Sequence, residues 1–101
     1  MIPQPTYYES HVTVEPVFGM QLDILTILAG RHGFKVADLL MLRDRTERAE
    51  RSDKDSFCTG RGPDYAELYA RMNDLRIELV TSGIQVWRCK IEAVLYDQRY
   101  K

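Results

Sequence analysis

Between Tyr7 and Glu15 apolar and polar positions alternate, with Val12 and Val14 on one side and Glu9, His11, Thr13 and Glu15 on the other. A period of two is that of a half-buried strand. Pro16 ends it, because proline has no N–H to give to a ladder. From Phe18 to Arg31 the pattern changes. Met20, Leu22, Ile24, Leu25, Ile27, Leu28 and Ala29 make a wide apolar stripe at helical spacing, and Gly33 closes it. Phe34 to Leu42 predicts a second strand and Ser56 to Gly60 a short third one, followed by a turn at Gly60-Arg61-Gly62-Pro63. Asp64, with Glu67 three positions on, is a capping pair for a second helix. In that helix Tyr65, Leu68, Met72, Leu75 and Leu79 repeat at helical spacing until Gly83. Ile84 to about Leu95 predicts the last strand. Trp87, Cys89, Ile91, Ala93 and Leu95 share its apolar face, and Arg88, Lys90 and Glu92 the other.

Three segments stand outside this pattern. Residues 1–6 carry two prolines and read as a loose lead-in, and residues 96–101 extend the last strand or lie across an edge. Residues 43–55 hold five basic side chains (Arg43, Arg45, Arg48, Arg51, Lys54) and five acidic ones. Their balanced signs predict a solvated connection between strands two and three, not a nucleic-acid arm.

The resulting order, β-α-β-β-α-β, is written as two matched halves. Ser10 to Val14 leads through a helix to His32-Gly33-Phe34-Lys35-Val36, and Ser56 to Gly60 leads through a helix to Ser82-Gly83-Ile84-Gln85-Val86. Right-handed crossovers and packing of neighbours reduce this order to one common solution, a single α+β domain over residues 1–101. That solution is the ferredoxin-like split βαβ sandwich. It has a four-stranded antiparallel sheet in the order 4-1-3-2 and both helices on one face. Cys58 and Cys89 would then be separated by strand one, about two strand spacings apart and too far for a disulfide. Both are expected to be inert core thiols.

Composition narrows the function classes. A 101-residue chain supports one core. Apolar residues at 45% and charged residues at 29% exclude wholesale disorder. A net charge of -1 provides no global attraction for nucleic acid or an anionic membrane. No apolar stretch approaches the roughly 20 residues that span a bilayer, and Met1-Ile2-Pro3-Gln4-Pro5 is not a secretory start. The expectation is a cytoplasmic protein with reduced thiols, with no membrane and no nucleic acid among its partners.

Candidate chemistry lies on the sheet face that the helices leave open. Strand one offers Tyr7, Glu9, His11, Thr13 and Glu15, strand four Arg88, Lys90 and Glu92, and strand three Phe57, Thr59 and Arg61. Two readings fit this polar field. Opposite charges on neighbouring strands stabilise a solvated sheet by about 0.2–1 kcal/mol per pair. Alternatively, cations converging around hydroxyls suit an anion, with Arg for bidentate phosphate contact. The predicted ligand-binding set is His11, Thr13, Glu15, Thr59, Arg61, Arg88, Lys90 and Glu92.

The segment His11-Val12-Thr13 resembles the HxT motif of the two-histidine phosphoesterases, whose strands present a His and a Thr or Ser from each half of the molecule. The resemblance implies an imidazole pair acting as general acid and general base, with hydroxyls on the phosphate. The matching place in the second half reads Phe57-Cys58-Thr59, so Phe57 stands where that pattern has its second histidine. His32 sits at a helix end and reads as a cap. One imidazole does not readily supply both proton transfers. The sequence reading is therefore a binding or interaction module, its open face meeting a phosphate-containing anion or a protein partner. The alternative is a small phosphoesterase with His11 as its catalytic residue.

No metal and no cofactor are expected. Glu9, His11 and Glu15 on one strand face are too few ligands, no clustered Cys/His spacing exists, and neither a P-loop nor a dinucleotide fingerprint occurs. A homodimer joined through sheets or edges is in keeping with so short a chain.

Overall fold

The computed structural model describes residues 6–37 and 56–95. Within them the order is β1 (Tyr7–Val14), α1 (Met20–Arg31), β2 (Phe34–Val36), β3 (Ser56–Gly62), α2 (Tyr65–Thr81) and β4 (Val86–Val94). The strands form one antiparallel sheet in the order β2-β3-β1-β4, which is the expected 4-1-3-2 read from the other edge. The expectations for residues 1–5, 38–55 and 96–101, including the charged connection and the end of the second strand at Leu42, fall outside the described residues.

Alternation sorts the sheet into two faces, as the pattern predicts. Val12, Val14, Phe34, Val36 and Cys58 are buried, and they form one core with Leu22, Leu25, Leu28 and Ala29 of α1 and Leu68, Met72, Leu75 and Leu79 of α2. Both helices therefore cover the same face. The matched halves close alike. Gly33 and Gly83 take φ of 74° and 89°, the left-handed region that L-residues avoid, and each turns a helix end back toward the sheet. His32 and Ser82 are the corresponding C-caps.

Four sequence expectations are corrected. Asp64 caps α2 by accepting from the Ala66 N–H at 3.0 Å, but Glu67 does not complete a capping box. It turns down the helix to Arg71, 2.8 Å away. Arg71 in turn donates to the carbonyls of His32 and Arg61, tying the α1–β2 turn to the end of β3. Tyr65 lies on the periodic stripe of α2 yet is half exposed, packing edge-on against Tyr8 with ring centroids 5.5 Å apart. It sits in the first turn of α2, at the margin of the core. On α1, Met20 and Ile27 are exposed for a related reason: the apolar stripe is wider than the face the sheet covers.

The fourth correction concerns β4. Thr13 is opposite Arg88 but Val14 is opposite Val86, so the ladder slips by one residue and β4 carries Trp87 as the extra one. Val86, not Trp87, stands opposite the buried Val14. Trp87 is 52% exposed, its indole N–H donating to the Gln85 side chain at 3.4 Å. Ala93 and Leu95, expected on the apolar face, are exposed beyond the reach of the helices.

Candidate functional site

The open face is assembled from three strands whose registers decide which side chains meet. His11 on β1 is directly opposite Thr59 on β3 and Lys90 on β4. Glu9 is opposite Arg61 on one side and Glu92 on the other. Like charges directly opposed on neighbouring strands repel, so Glu9 and Glu92 need compensation. Arg61 Nε donates to Glu9 Oε2 at 2.7 Å, and Lys90 Nζ lies 3.6 Å from Glu92 Oε1. Between the carboxylates stands His11, with Nε2 3.2 Å from Glu9 Oε1 and 3.6 Å from Glu92 Oε1. The result is a polar row across the sheet in which two carboxylates alternate with Arg61, the imidazole and Lys90, in the order Arg61, Glu9, His11, Glu92, Lys90.

The second imidazole nitrogen is also engaged, with Nδ1 3.1 Å from the Thr59 hydroxyl oxygen. Placing the proton on Nε2 lets it donate to Glu9 while Nδ1 accepts from Thr59. The opposite tautomer would aim a lone pair at two carboxylates. Phe57 closes one side of the ring, edge to face at a centroid distance of 6.4 Å. His11 is thus held at both ring nitrogens and flanked by one aromatic ring. Neither nitrogen is left to serve as a base without breaking one of these contacts.

Of the predicted ligand set, the structure brings together His11, Thr59, Arg61, Lys90 and Glu92. Thr13 lies on the same face between Phe57 and Arg88, outside the polar row. Arg88 is exposed and has no ion-pair partner among the described residues. Glu15 is not part of the site. Beyond the end of β1 its carboxylate accepts from the Gln85 N–H at 2.9 Å and pins the start of β4. Glu9 and Lys35 are the residues missing from the predicted set. Both carried a signal, since Glu9 is two positions from His11 on an alternating strand, and Lys35 alternates with the buried Phe34 and Val36.

Lys35 is opposite Thr59 on the β2 side. There the face dips into an open depression of about 250 Å³, lined by Lys35, Val36, Ala37, Thr59 and Arg61. Arg61 binds Glu9 through Nε, so its two terminal nitrogens remain available to an acceptor in the depression.

The ligating atoms of Glu9, His11 and Glu92 lie within 4.8 Å of one another, a closer set of cation ligands than the sequence suggested, with Glu92 in place of Glu15. The same carboxylates already hold Arg61 and Lys90, so a cation would enter at the expense of those pairs.

The two cysteines flank Val12 on opposite sides, Cys58 on β3 and Cys89 on β4, and both are free thiols. Burial pushes the Cys58 thiol up to about 12 and raises that of Cys89 as well. Neither pairs with an imidazole, and their unreactive protonated forms fit a packing role.

No family model, no curated protein and no solved structure matches the chain. None of these comparisons supports the resemblance to two-histidine phosphoesterases, which has only His11, Thr13 and Thr59 behind it. In the β1–β3 ladder His11 opposes Thr59, and Thr13 opposes Phe57. The two segments therefore run past one another in antiparallel register, with Phe57 at the place where a second imidazole would complete the pattern. No helix among the described residues is long and apolar enough to cross a membrane.

Proposed function

We propose that this protein is a binding module for a small phosphate-containing anion, taken up on the open sheet face over β2 and β3. The observation that carries this reading is the depression in which Lys35, Thr59 and Arg61 converge. Arg61 is already paired with Glu9 through Nε, which limits its side-chain freedom and leaves its terminal nitrogens for a bidentate contact. Lys35 adds a point charge from the neighbouring strand. The Thr59 hydroxyl has one proton to give, to His11 Nδ1 or to a ligand oxygen. Ligand capture there would be felt at the imidazole. Glu9 and Glu92 lie on β1 and β4, and their charge favours an anion on the β2 side of the face. Hydrolysis through His11 is the less favoured reading, because both ring nitrogens are engaged.

Titration calorimetry with inorganic phosphate, a nucleoside monophosphate and a short oligonucleotide at low ionic strength tests the reading. Saturable binding to at least one probe is expected. It should be lost in Lys35→Ala/Arg61→Ala, weakened in Arg61→Lys and retained in Arg88→Ala. Absence of saturable binding, or equal loss in Arg88→Ala, overturns it.

A further inference from the structure

The sheet has two unequal edges. β2 spans 3 residues, whereas β4 spans 9 and pairs only with β1 among the described residues. A long edge strand presents a row of unpaired N–H and C=O groups, a template for another strand, and natural proteins guard such edges with charge. β4 carries Arg88, Lys90 and Glu92 on its open face. Whether these charges guard the edge or select a partner depends on what they meet.

A second copy of the chain can extend the sheet only about a two-fold axis perpendicular to it, which makes the two β4 strands antiparallel. Directly opposed residues must then share a face, so the axis passes through a residue position. Centring on Cys89 sets Lys90 against Arg88, and centring on Lys90 sets that lysine against itself. A centre at Glu92 opposes two carboxylates. Centring on Ile91 avoids every like-charge pair. It sets Lys90 against Glu92 of the second copy, twice by symmetry, and Arg88 against Val94. On the other face Ile91 meets Ile91, and Cys89 meets Ala93. Trp87 and Leu95, 52% and 48% exposed in the single chain, become neighbours at the two ends of the ladder.

We infer that β4 is a self-association edge, with two copies of this chain pairing antiparallel about Ile91 to form a continuous eight-stranded sheet. The charges on β4 act as a register code: they disfavour centres at Cys89, Lys90 and Glu92, and the Ile91 centre sets opposite charges against each other without opposing like ones. The two open faces would then form a single surface, with the two Lys35–Arg61 depressions at its far sides. The pairing is independent of what those depressions bind.

Light scattering and sedimentation of the full chain over a wide concentration range at low ionic strength, with circular dichroism of each variant, provide the test. The wild type is expected at twice the mass of one chain. Lys90→Glu and Glu92→Lys each create two like-charge cross-strand pairs and should weaken dimerisation by about tenfold or more. The double variant Lys90→Glu/Glu92→Lys restores both pairs and should return to within about threefold of wild type. If one single variant fails to fold, the other makes the same clash. A monomeric wild type throughout, single variants that dimerise normally, or a double variant as weak as the singles would each overturn the pairing.

Discussion

Thr59 Oγ and His11 Nδ1 stand 3.1 Å apart across the β1–β3 ladder, where the two residues are direct cross-strand partners. The contact closes the last open position on the imidazole, whose other nitrogen faces Glu9 and Glu92. Thr59→Val keeps the shape and removes the hydroxyl. Loss of a part-buried hydrogen bond of this kind costs about 0.5–1.5 kcal/mol. Urea denaturation should show that loss, while Thr59→Ser stays close to wild type. Equal stability of the valine variant would mean that the contact does not hold the ring.

Ser10 poses the opposite case. Its hydroxyl is fully buried on the helix side of β1, between Gly60 and Ile91, and has no hydrogen-bond partner among the described residues. Desolvating a hydroxyl without compensation is unfavourable. Ser10→Ala should therefore stabilise the fold, by about 1 kcal/mol. The denaturation midpoint should rise with an unchanged slope. A lower midpoint would mean the hydroxyl is satisfied in solution.

Acid stability depends in part on Glu78. A hydrogen bond from His32, 2.5 Å away, together with the charges of His32 and Arg31, holds its carboxyl below the ordinary carboxylate value. A carboxylate depressed in the folded state contributes stability that is present above the unfolded value and is lost as pH falls through the folded one. Glu78→Gln should flatten the decline of thermal midpoint across that acid window. A decline parallel to wild type would remove Glu78 from the account.

The alkaline limb carries a contribution from Cys58. Its thiol is raised from 9.0 to about 12 in the folded chain, chiefly by burial. The unfolded thiol ionises first, so stability falls as pH rises through that window. Cys58→Ala should reduce the pH dependence there, at some cost in packing. In the native protein at neutral pH, Cys58 should alkylate only as fast as the chain opens. Rapid labelling of Cys58, read by mass spectrometry, would contradict its burial.

Much of this architecture was legible in the chain. Period-two and helical patterns assign Val12, Val14, Leu22, Leu25, Leu68 and Leu75 to the core, and they do so because burial on one face is a local property of each element. Trp87 was not legible. Its strand alternates correctly from Arg88 onward, but the bulge opposite Val14 shifts the phase, and a bulge depends on the neighbouring strand.

The same distinction separates the face from the site. By itself the sequence determined the order of elements, hence the topology, and it placed His11, Thr59, Arg61, Lys90 and Glu92 on one open face, because side-chain alternation follows from backbone geometry alone. Only the tertiary structure decided that Glu92 and not Glu15 approaches His11. It also decided that Glu9 must be shared by Arg61 and the imidazole, and that Lys35 joins Arg61 at one depression. These depend on register between strands distant in sequence, which is set by the packing of the opposite face and by the slip at Trp87.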